Sequence, residues 1–227
     1  MGLAKTRHSS LSTNFPMTPF HYPLLDTKFR FRVHNIISNI IHQYLPTKSH
    51  ILDLGCAGGN IAKLTQGKHL VTGVENNPSY FQSARQHCYQ FLKLDLNKSQ
   101  DIKKIPNHYD LIVLADVLEH LVNPSHTLKQ IIPKAKKNAL MIISLPNIAQ
   151  LPFRLSHLFG NFNYSDHGGV MDQTHLHFYT LKTAKQLIQQ FPQLKILKIF
   201  PAGTLYSFLP IFPTLIAPQF VFLIRKH

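Results

Sequence analysis

Apolar and polar residues follow two different periods along this chain, and segments of the two kinds take turns. Over residues 28–44 the apolar positions recur about every three to four residues, which predicts an amphipathic helix that ends before Pro46. Beyond it, short apolar runs alternate with helical patterns, which is typical of a parallel sheet covered on both faces. The pattern therefore predicts an α/β domain.

Seven segments are predicted strands, and four helices follow the first of them along the chain. The last two strands are expected to run antiparallel, because the sequence between them contains no convincing helix. The predicted strands are 51–55, 70–75, 90–94, 109–115, 139–145, 194–200 and 219–225, and the helices begin at 60, 77, 123 and 180. We expect a Rossmann-like, mainly parallel seven-stranded sheet with an antiparallel last strand and helices on both faces.

Three stretches interrupt this alternation. Residues 1–25 are rich in Ser, Thr, Pro and His and have no period, which predicts an extended N-terminal arm before one domain over residues 26–227. The period is lost again at 146–179, where aromatic residues and His accumulate, and insertions of this kind are usually functional. Prolines divide the uncharged run 199–224, so it is predicted as a loop plus a strand, with a membrane-touching loop as the alternative.

The charge of the chain is strongly uneven. The formal net charge is +14, yet seven of the ten acidic residues lie between positions 53 and 119. The basic remainder is compatible either with a solvated surface or with phosphate-bearing or membrane-associated substrates. Two cysteines do not make a disulfide framework, and residues 1–20 lack the apolar core of a signal peptide. These features predict a cytoplasmic protein, with a membrane-peripheral location as the second interpretation.

The segment 51–60 reads as a buried strand that breaks into a glycine-rich turn and then a helix. Glycine lets the backbone take positive φ, and a helix N-terminus offers free N–H groups to a ligand. A dinucleotide site requires Gly-x-Gly-x-x-Gly, but the series here is Gly55, Ala57 and Asn60. The methyl group of Ala57 stands where a pyrophosphate would approach, which disfavours NAD. A carboxylate further on, Glu75, suits a ribose.

Four acidic residues fall at or just beyond the ends of successive predicted strands. They are Asp53, Glu75, Asp95 and Asp116. Ligands of an open parallel sheet bind at the carboxyl ends of its strands, near the point where the strand order reverses. We therefore expect these side chains to face one crevice.

Together these motifs resemble the core of the class I S-adenosylmethionine-dependent methyltransferases. The matching segments are 52–59 (Leu-Asp-Leu-Gly-Cys-Ala-Gly-Gly), 74–75 (Val-Glu), 94–96 (Leu-Asp-Leu) and 115–121 (Ala-Asp-Val-Leu-Glu-His-Leu). The chain departs from the pattern at Ala57, where the family usually has Gly. Segments 144–147, 172–179 and 220–226 are similar to a bacterial small-molecule branch related to the ubiquinone-type and surface-glycan methyltransferases.

The resemblance implies S-adenosylmethionine as the cofactor and gives the matching positions roles. The loop would back the methionine portion, Glu75 would accept hydrogen bonds from the ribose, and Asp95 with Leu96 would meet the adenine. Carboxylates also suit the sulfonium cation of this cofactor. The full set of implied cofactor-binding residues is Asp53, Gly55, Cys56, Ala57, Gly59, Glu75, Asn76, Asp95, Leu96, Ala115 and Asp116.

Transfer of a methyl group to a hydroxyl requires a base that works near neutral pH, and His is the usual choice. His120, just beyond Asp116, and His175 in the insertion are the candidate bases. Asn147, His177 and Tyr179 are expected to line the acceptor pocket. Asp172, His175 and His177 could instead bind a metal, but this ligand set is incomplete, so no metal is expected.

The expected function is methyl transfer to a hydroxyl group of a small-molecule, glycan or lipid-linked acceptor. Three alternatives stay open: an RNA methyltransferase, which the basic charge suggests, an NAD-type oxidoreductase, and a non-catalytic cofactor-binding protein. Residues 116–119 read Asp-Val-Leu-Glu, which is not the Asn/Asp-Pro-Pro-aromatic signature of amino-directed nucleic-acid enzymes. A nucleic-acid partner is therefore less favoured than a small molecule.

Overall fold

The computed structural model of the protein describes residues 33–65, 67–166, 168–203 and 212–227. These residues form one seven-stranded sheet with helices packed against it. The strands are β1 (His50–Leu54), β2 (Leu70–Glu75), β3 (Gln90–Lys93), β4 (Tyr109–Ala115), β5 (Ala135–Pro146), β6 (Leu194–Ala202) and β7 (Gln219–Lys226). The helices are α1 (Val33–Tyr44), α2 (Asn60–Thr65), α3 (Phe81–His87), α4 (Ser99–Lys103), α5 (Pro124–Ile131), α6 (Leu151–Leu158), α7 (Leu181–Gln189) and α8 (Pro213–Ile216).

The strand order places a crevice at the centre of the sheet. The order is β3-β2-β1-β4-β5-β7-β6, with β1 parallel to both β2 and β4, and β7 antiparallel to both β5 and β6. The chain moves outward from β1 to β3 and then returns to the other side of β1, so the order reverses between β1 and β4. The predicted fold is confirmed, including the antiparallel last strand.

Alternating residues of the strands build two separate cores. On β1, Ile51 belongs to the cluster on one face of the sheet, whereas Leu52 and Leu54 belong to the cluster on the other. The first cluster includes apolar side chains of α1 and α2, and the second includes those of α5 and α7. Both clusters draw on β4, whose residues 111–114 are all fully buried, as expected for a central parallel strand. Helices on both faces are therefore required to cover the sheet.

Several helix starts follow the capping residues that the sequence offers. The side chain of Asn123 accepts a hydrogen bond from the backbone N–H of His126 at the start of α5. Thr180 and Thr183 form a reciprocal capping box at the start of α7. The side chain of Asn77 likewise accepts from the N–H of Ser79, but the first turn there, Pro78–Tyr80, is a 3-10 turn that precedes α3.

The structure adds elements that the hydrophobic pattern did not predict. A short helix, α4, lies between β3 and β4, and α6 lies inside the 146–179 insertion. The connection between β6 and β7 contains the one-turn helix α8, which the sequence did not indicate. β5 begins at Ala135, earlier than predicted, because Ala135 pairs with Tyr109 before a bulge at Asn138, whose φ is 62°.

Some predictions lie outside the described residues. These are the extended arm 1–25, the part of the first helix before residue 33, and residues 204–211 of the uncharged run. Within the described ranges, none of the helices has both the length and the hydropathy needed to cross a membrane.

Candidate active site

The glycine-rich loop between β1 and α2 is fixed by the neighbouring strand. The backbone N–H groups of Gly55 and Cys56 both donate to the carbonyl oxygen of Val74, at 2.8 and 3.0 Å. Gly55 has a φ of 67°, and a Cβ on it would lie 2.7 Å from Cγ2 of Val117. Only glycine fits this position. Ala57 also has a positive φ, 44°, which costs an L-residue roughly 1–2 kcal/mol.

The carboxylate of Glu75 braces this loop against the turn after β2. One oxygen, Oε2, accepts from the N–H of Ala57 at 3.0 Å. The other, Oε1, accepts from the N–H groups of Asn76 and Asn77, each at 2.9 Å. A carboxylate offers about four acceptor positions, so these bonds leave room for a hydroxyl donor. Glu75 thus both shapes the site and keeps capacity for a ligand.

A cavity of about 620 Å³, which we name the switch-point cavity, opens at the carboxyl ends of β1 to β4. Its walls include Tyr80, Val117, His120 and Thr174 besides the predicted residues. The predicted cofactor-binding residues that line it are Gly55, Glu75, Asn76, Asp95, Leu96 and Asp116. Three of these are acids, so the cavity is suited to a cation that carries hydroxyl groups.

The other predicted cofactor-binding residues lie behind the residues that line the switch-point cavity. Cys56, Ala57, Gly59 and Ala115 do not line the cavity, and Asp53 is only 2% exposed. Burial raises the pKa of Asp53 well above its ordinary value, and nearby Cys88 and Glu75 act in the same direction. Oδ2 of Asp53 has no hydrogen-bond partner among the described residues. The structure therefore places Asp53 beneath the loop and not in the crevice.

The far wall of the switch-point cavity is built around Asp95. Its Oδ1 accepts from the N–H of Asn97 at 2.9 Å, and Lys98 lies 3.6 Å from its other oxygen. Its own N–H donates to Asp101 at 3.1 Å, which fixes the turn after β3. The next residue, Leu96, is held by the hydroxyl of Thr127, which donates to its carbonyl at 3.2 Å. This wall is therefore rigidly attached to α4 and α5.

A second cavity of about 390 Å³ lies between the turn after β4, the insertion and the start of β7, and we name it the insertion cavity. Residues that line it include Asp116, Glu119, His120, Asp172, His175 and Gln219. Asp116 and His120 line both cavities. A molecule in one cavity is thus separated from a molecule in the other by these two side chains.

Asp116 is held in an unusual conformation by two neighbouring strands. Its φ is 56°, in the left-handed region that non-glycine residues rarely adopt. Its N–H donates to Oγ of Ser144 at 3.0 Å, and Oγ of Ser144 donates to its Oδ1 at 2.5 Å. Nε2 of Gln219 donates to the same oxygen at 2.7 Å. These bonds fix the carboxylate at the junction of the cavities.

Glu119 is a buried acid whose carboxylate oxygens have no hydrogen-bond partner among the described residues. Its exposed fraction is 0%. Burial raises the pKa of Glu119 well above its ordinary value, and the charge of Asp116 adds to this rise. The Glu119 carbonyl accepts from the N–H groups of Leu176 and His177, at 2.8 and 3.1 Å. The insertion is therefore attached to the turn that carries the acid.

The structure brings the two predicted bases together. The rings of His120 and His175 meet edge to face, with their centroids 4.7 Å apart. Nδ1 of His175 lies 3.1 Å from the carbonyl oxygen of Val170, so it carries the hydrogen and leaves Nε2 as the acceptor. Burial lowers the pKa of His175, and the neighbouring His120 lowers it further. His175 is consequently neutral near pH 7 and able to take a proton.

His120 is oriented by a chain of hydrogen bonds that begins at Asp172. Oγ1 of Thr174 donates to Oδ1 of Asp172 at 2.6 Å, so its oxygen faces Nδ1 of His120, 3.1 Å away, as an acceptor. The Thr174 carbonyl lies 3.3 Å from the same nitrogen. Nδ1 of His120 thus carries the hydrogen, and Nε2 is left to accept a proton.

Glu119, His120 and His175 also form a potential metal-binding group. Each offers one ligand atom, and these atoms lie within 4.8 Å of one another. Two imidazoles and a carboxylate suit zinc and similar divalent ions, and the unpartnered oxygens of Glu119 fit such a role. This group shares only His175 with the set Asp172, His175 and His177 that the sequence suggested.

The expected acceptor-binding residues are not in the insertion cavity. Asn147 is fully buried, and its side chain donates to the carbonyls of Thr214 and Ala217 and accepts from the N–H of Ala149. These bonds fix the loop after β5 and occupy the side-chain amide of Asn147. Tyr179 is buried in the core, where burial raises its pKa to about 12, and the ring of His177 packs beside it.

The aromatic residues of the insertion form a surface more than a core. Phe162 packs against Tyr164 and Phe178, with ring centroids 5.6 Å apart in both pairs. No residue of α6 is buried, and Leu158 and Phe159 are 75% and 77% exposed. An apolar surface therefore extends from the insertion, as expected of a lid more than of a packing layer.

Sequence reasoning did not assign a role to several residues of the site. Glu119 lies inside segment 115–121, which resembles the methyltransferase family, and this motif is the sequence signal that points to Glu119. Ser144 and Gln219 reach Asp116 from distant parts of the chain, and Thr174 gave no signal besides its position in the insertion.

Comparisons with known proteins bear on the family and the fold of this chain. A family model described as a methyltransferase domain matches residues 29–192. The ubiquinone biosynthesis O-methyltransferase of Coxiella burnetii is 31% identical over an alignment of 113 residues, and the match covers 47% of this chain and 48% of that protein. The protein of the same name from Rickettsia typhi is 32% identical over an alignment of 122 residues, and the match covers 51% of this chain and 49% of that protein. The match thus spans about half the length of these relatives.

Solved structures support the fold. The magnesium protoporphyrin IX methyltransferase from Synechocystis PCC 6803, solved with S-adenosylhomocysteine bound, superposes with a TM-score of 0.61. The sequence identity is 14%, and the match covers 86% of this chain and 82% of the other. Since the family model covers most of the chain and the sheet has the expected order, the protein belongs to the class I S-adenosylmethionine-dependent methyltransferase family.

Proposed function

We propose that this protein transfers a methyl group from S-adenosylmethionine to a hydroxyl group of a small-molecule acceptor. The observation that carries the proposal is the shared wall of Asp116 and His120 between the switch-point cavity and the insertion cavity. A cofactor in the first cavity and an acceptor in the second would meet at this wall. Methyl transfer is an in-line displacement, so alignment of the two molecules is the main task of the protein.

The switch-point cavity has the groups that this cofactor requires. Glu75 retains acceptor capacity for the ribose hydroxyls, and Asp95 with Leu96 forms the wall that would face the adenine. When bound, S-adenosylmethionine supplies a methyl group that is activated by the adjacent sulfonium charge. Glu75, Asp95 and Asp116 give the cavity a negative lining that favours this cation.

The acceptor hydroxyl would lose its proton to His120 or His175. Both rings hold the hydrogen on Nδ1 and keep Nε2 as an acceptor. His120 lines both cavities, so it is the better placed of the two to meet the reacting oxygen. General-base catalysis of this kind contributes about 10²- to 10⁴-fold to the rate. We assign the base to His120 and the support of its ring to His175 and Thr174.

A metal-assisted form of the same reaction is the second candidate. In the described part of the chain the carboxylate oxygens of Glu119 have no hydrogen-bond partner, and the carboxylate lies within 4.8 Å of ligand atoms of His120 and His175. A divalent ion held by Glu119, His120 and His175 would bind the acceptor oxygen and lower its pKa. Dialysis against a chelator separates the two forms. Activity that survives chelation supports the base mechanism, and activity that is lost and then restored by zinc or manganese supports the metal.

The chemistry of the acceptor is proposed from the exposed surface of the insertion and from the relatives. The relatives are named ubiquinone biosynthesis O-methyltransferases, and the insertion carries exposed apolar residues such as Leu158 and Phe159. A phenolic or lipid-linked acceptor fits both observations, and a glycan is the other acceptor class that the sequence resemblance suggests. We also propose a cytoplasmic protein that contacts membranes peripherally, which a vesicle flotation assay would test. An RNA acceptor is supported only by the net charge.

Two experiments test the proposal. Isothermal titration should show binding of S-adenosylhomocysteine and no binding of NAD, and the reverse result would eliminate a methyltransferase. A radiolabelled methyl donor should then label phenolic or glycan acceptors and not RNA. Replacement of His120 by Asn should reduce the rate about 10²- to 10⁴-fold while cofactor binding persists. Cofactor binding without transfer to any acceptor would favour the non-catalytic alternative.

A further inference from the structure

The two cysteines of the chain lie against the same glycine. One of them, Cys56, belongs to the glycine-rich loop between β1 and α2, which we name the cofactor loop. A Cβ built on Gly73 of β2 would lie 2.7 Å from Sγ of Cys56 and 2.7 Å from Sγ of Cys88. The two sulfurs are therefore no further apart than twice this distance, and the Cys56 thiol donates to the carbonyl of Ala57 at 3.7 Å. Since real Cβ atoms do not approach other atoms so closely, only glycine at position 73 leaves room for the pair.

The two thiols have different surroundings. Cys56 is 2% exposed, whereas Cys88, which follows α3, is partly open to solvent. The neighbouring Cys56 side chain lowers the pKa of Cys88; the backbone of Gly73 and the charge of Lys63 also lower it, and burial opposes them. The neighbouring Cys88 side chain raises the pKa of Cys56, and burial adds to this rise. The more exposed sulfur is thus the better nucleophile.

A carboxylate beside the pair strengthens this difference. Glu75 lies near Cys56 and disfavours its thiolate. Oε2 of Glu75 is held at the N–H of Ala57, directly after Cys56, so this carboxylate stays beside the thiol. Lys63 lies on the other side, between Ser83 and the loop, with its Nζ 3.3 Å from the Ser83 hydroxyl. The charges therefore divide the pair into a reactive and a resolving sulfur.

We propose that Cys88 and Cys56 form a peroxide-sensitive dithiol that closes to a disulfide. The thiolate of Cys88 attacks one oxygen of a hydroperoxide, the O–O bond breaks, and the other oxygen leaves with the electron pair as hydroxide or alkoxide. The sulfur of Cys56 then attacks the sulfenic acid at Cys88, and the displaced hydroxyl takes the thiol proton and leaves as water. The two sulfurs lose two electrons, which the peroxide gains. A thiol reductant reverses the reaction by exchange.

Formation of the disulfide would act on the cofactor loop. The carbonyl of Cys56 accepts from the N–H of Gly59 at 2.9 Å, so a displacement of Cys56 moves the loop as a unit. A disulfide bond is about 2.0 Å long, which is shorter than any contact between free thiols, so oxidation draws the loop toward α3. We expect oxidation to weaken S-adenosylhomocysteine binding roughly tenfold, a typical coupling between two sites. This consequence rests on the proposed function, but the oxidation itself does not.

Packing alone would also place two small side chains in contact. The test must therefore detect oxidation of the two thiols and not only their proximity. The reduced full-length protein is treated with hydrogen peroxide at a few equivalents, and its intact mass and tryptic peptides are measured. Lys63 and Arg85 lie between the two cysteines, so trypsin separates them into different peptides unless a disulfide joins them. We expect the loss of two hydrogen masses and a linked peptide pair, both reversed by dithiothreitol.

Two variants assign the roles, with circular dichroism as the check of folding. Cys56→Ser should accumulate a sulfenic acid at Cys88 that dimedone traps, because the resolving thiol is missing. Cys88→Ser should stay unreacted at the same peroxide dose. The proposal is overturned if the wild-type protein stays reduced, forms only disulfides between chains, or reacts at Cys56 when Cys88 is replaced. If a variant does not fold, the linked peptide in the wild-type protein decides alone.

Titration of the oxidised protein with S-adenosylhomocysteine distinguishes a failure of the dithiol proposal from a failure of the proposed function. A linked peptide together with unchanged S-adenosylhomocysteine affinity would overturn the coupling to the loop and leave the dithiol in place. If neither redox form binds this cofactor, the proposed function fails while the mass measurement still decides the fate of the thiols.

Discussion

The side-chain amide of Gln219 donates a 2.7 Å hydrogen bond to the carboxylate of Asp116, although the two residues are 103 positions apart in the sequence. Gln219 begins β7, the strand that runs antiparallel to β5, and this placement brings its side chain to the end of β4. The buried hydroxyl of Ser144 contacts the same oxygen. β7, the last strand in chain order, thus contributes a side chain that holds Asp116 in the wall between the two cavities.

Replacement of Gln219 by Leu should lower kcat/KM for the acceptor about tenfold to a hundredfold, because a hydrogen bond to a charged group contributes roughly 1.5–3 kcal/mol. Binding of S-adenosylhomocysteine should change little, since Ser144 still holds the backbone of Asp116. Steady-state kinetics and calorimetry measure the two quantities. The matched exposed substitution Gln189→Leu should leave both unchanged. Equal losses in acceptor turnover and cofactor affinity would contradict this division of roles.

The general outline of the site was predictable because it depends on local sequence. Strand ends and the glycine-rich turn are set by residues close in sequence, so the positions of Glu75, Asp95 and Asp116 at one edge of the sheet followed from the pattern. The hydrogen-bond partners of Asp116 could not be predicted, because they depend on the order of the strands in the sheet, which the local sequence does not determine. Asn147 shows the converse: it has a suitable side chain in a suitable segment, but the carbonyls of Thr214 and Ala217 use its amide.

Replacement of Glu75 by Gln should weaken S-adenosylhomocysteine binding by about 1.5–3 kcal/mol, because the neutral amide presents only one acceptor oxygen in place of two. The amide also cannot accept from both the Ala57 loop and the turn after β2 at once. Isothermal titration measures the affinity, and urea unfolding shows whether stability falls with it.

Asp110→Asn is the control for this substitution. Like Glu75→Gln, it removes one negative charge, but it does so near the amino ends of the strands. There Asp110 accepts hydrogen bonds from the N–H of His50 and from Lys136. It should lower stability and leave cofactor affinity unchanged. If both substitutions weaken cofactor binding equally, net charge and not Glu75 itself controls the affinity.

Replacement of Ala57 by Gly should stabilise the protein by up to about 1.5 kcal/mol. The left-handed backbone at Ala57 costs roughly 1–2 kcal/mol, and the greater chain entropy of Gly offsets about 0.5–1 kcal/mol of the gain. Urea unfolding measures the difference. In α2 the same change, Ala62→Gly, should destabilise by about 1 kcal/mol, because Ala62 is helical. A loss of stability at position 57 would show that the methyl group of Ala57 makes favourable contacts that exceed the strain.

Replacement of Glu119 by Gln should change how stability depends on pH. The pKa of Glu119 in the folded protein lies well above the ordinary value of 4.5, so the folded state holds a proton that the unfolded chain releases. This contribution is fully present below pH 4.5 and is lost as the pH rises toward the folded pKa, by about 1.4 kcal/mol for each pH unit in that window. The variant, which cannot ionise, should therefore gain stability over the wild type as the pH rises.

The contribution of Asp172 to stability should depend on pH in the opposite direction, so Asp172→Asn serves as the contrasting variant. Hydrogen bonds from Thr174 hold the pKa of Asp172 below its ordinary value, so its contribution is present above pH 3.8 and is lost in acid. Asp172 is partly exposed to solvent, so its effect should be the smaller one. Urea unfolding at a series of pH values, with chelator present, compares the three proteins. A stability difference between Glu119→Gln and wild type that stays constant from pH 4 to pH 8 would mean that Glu119 is ionised in the folded protein.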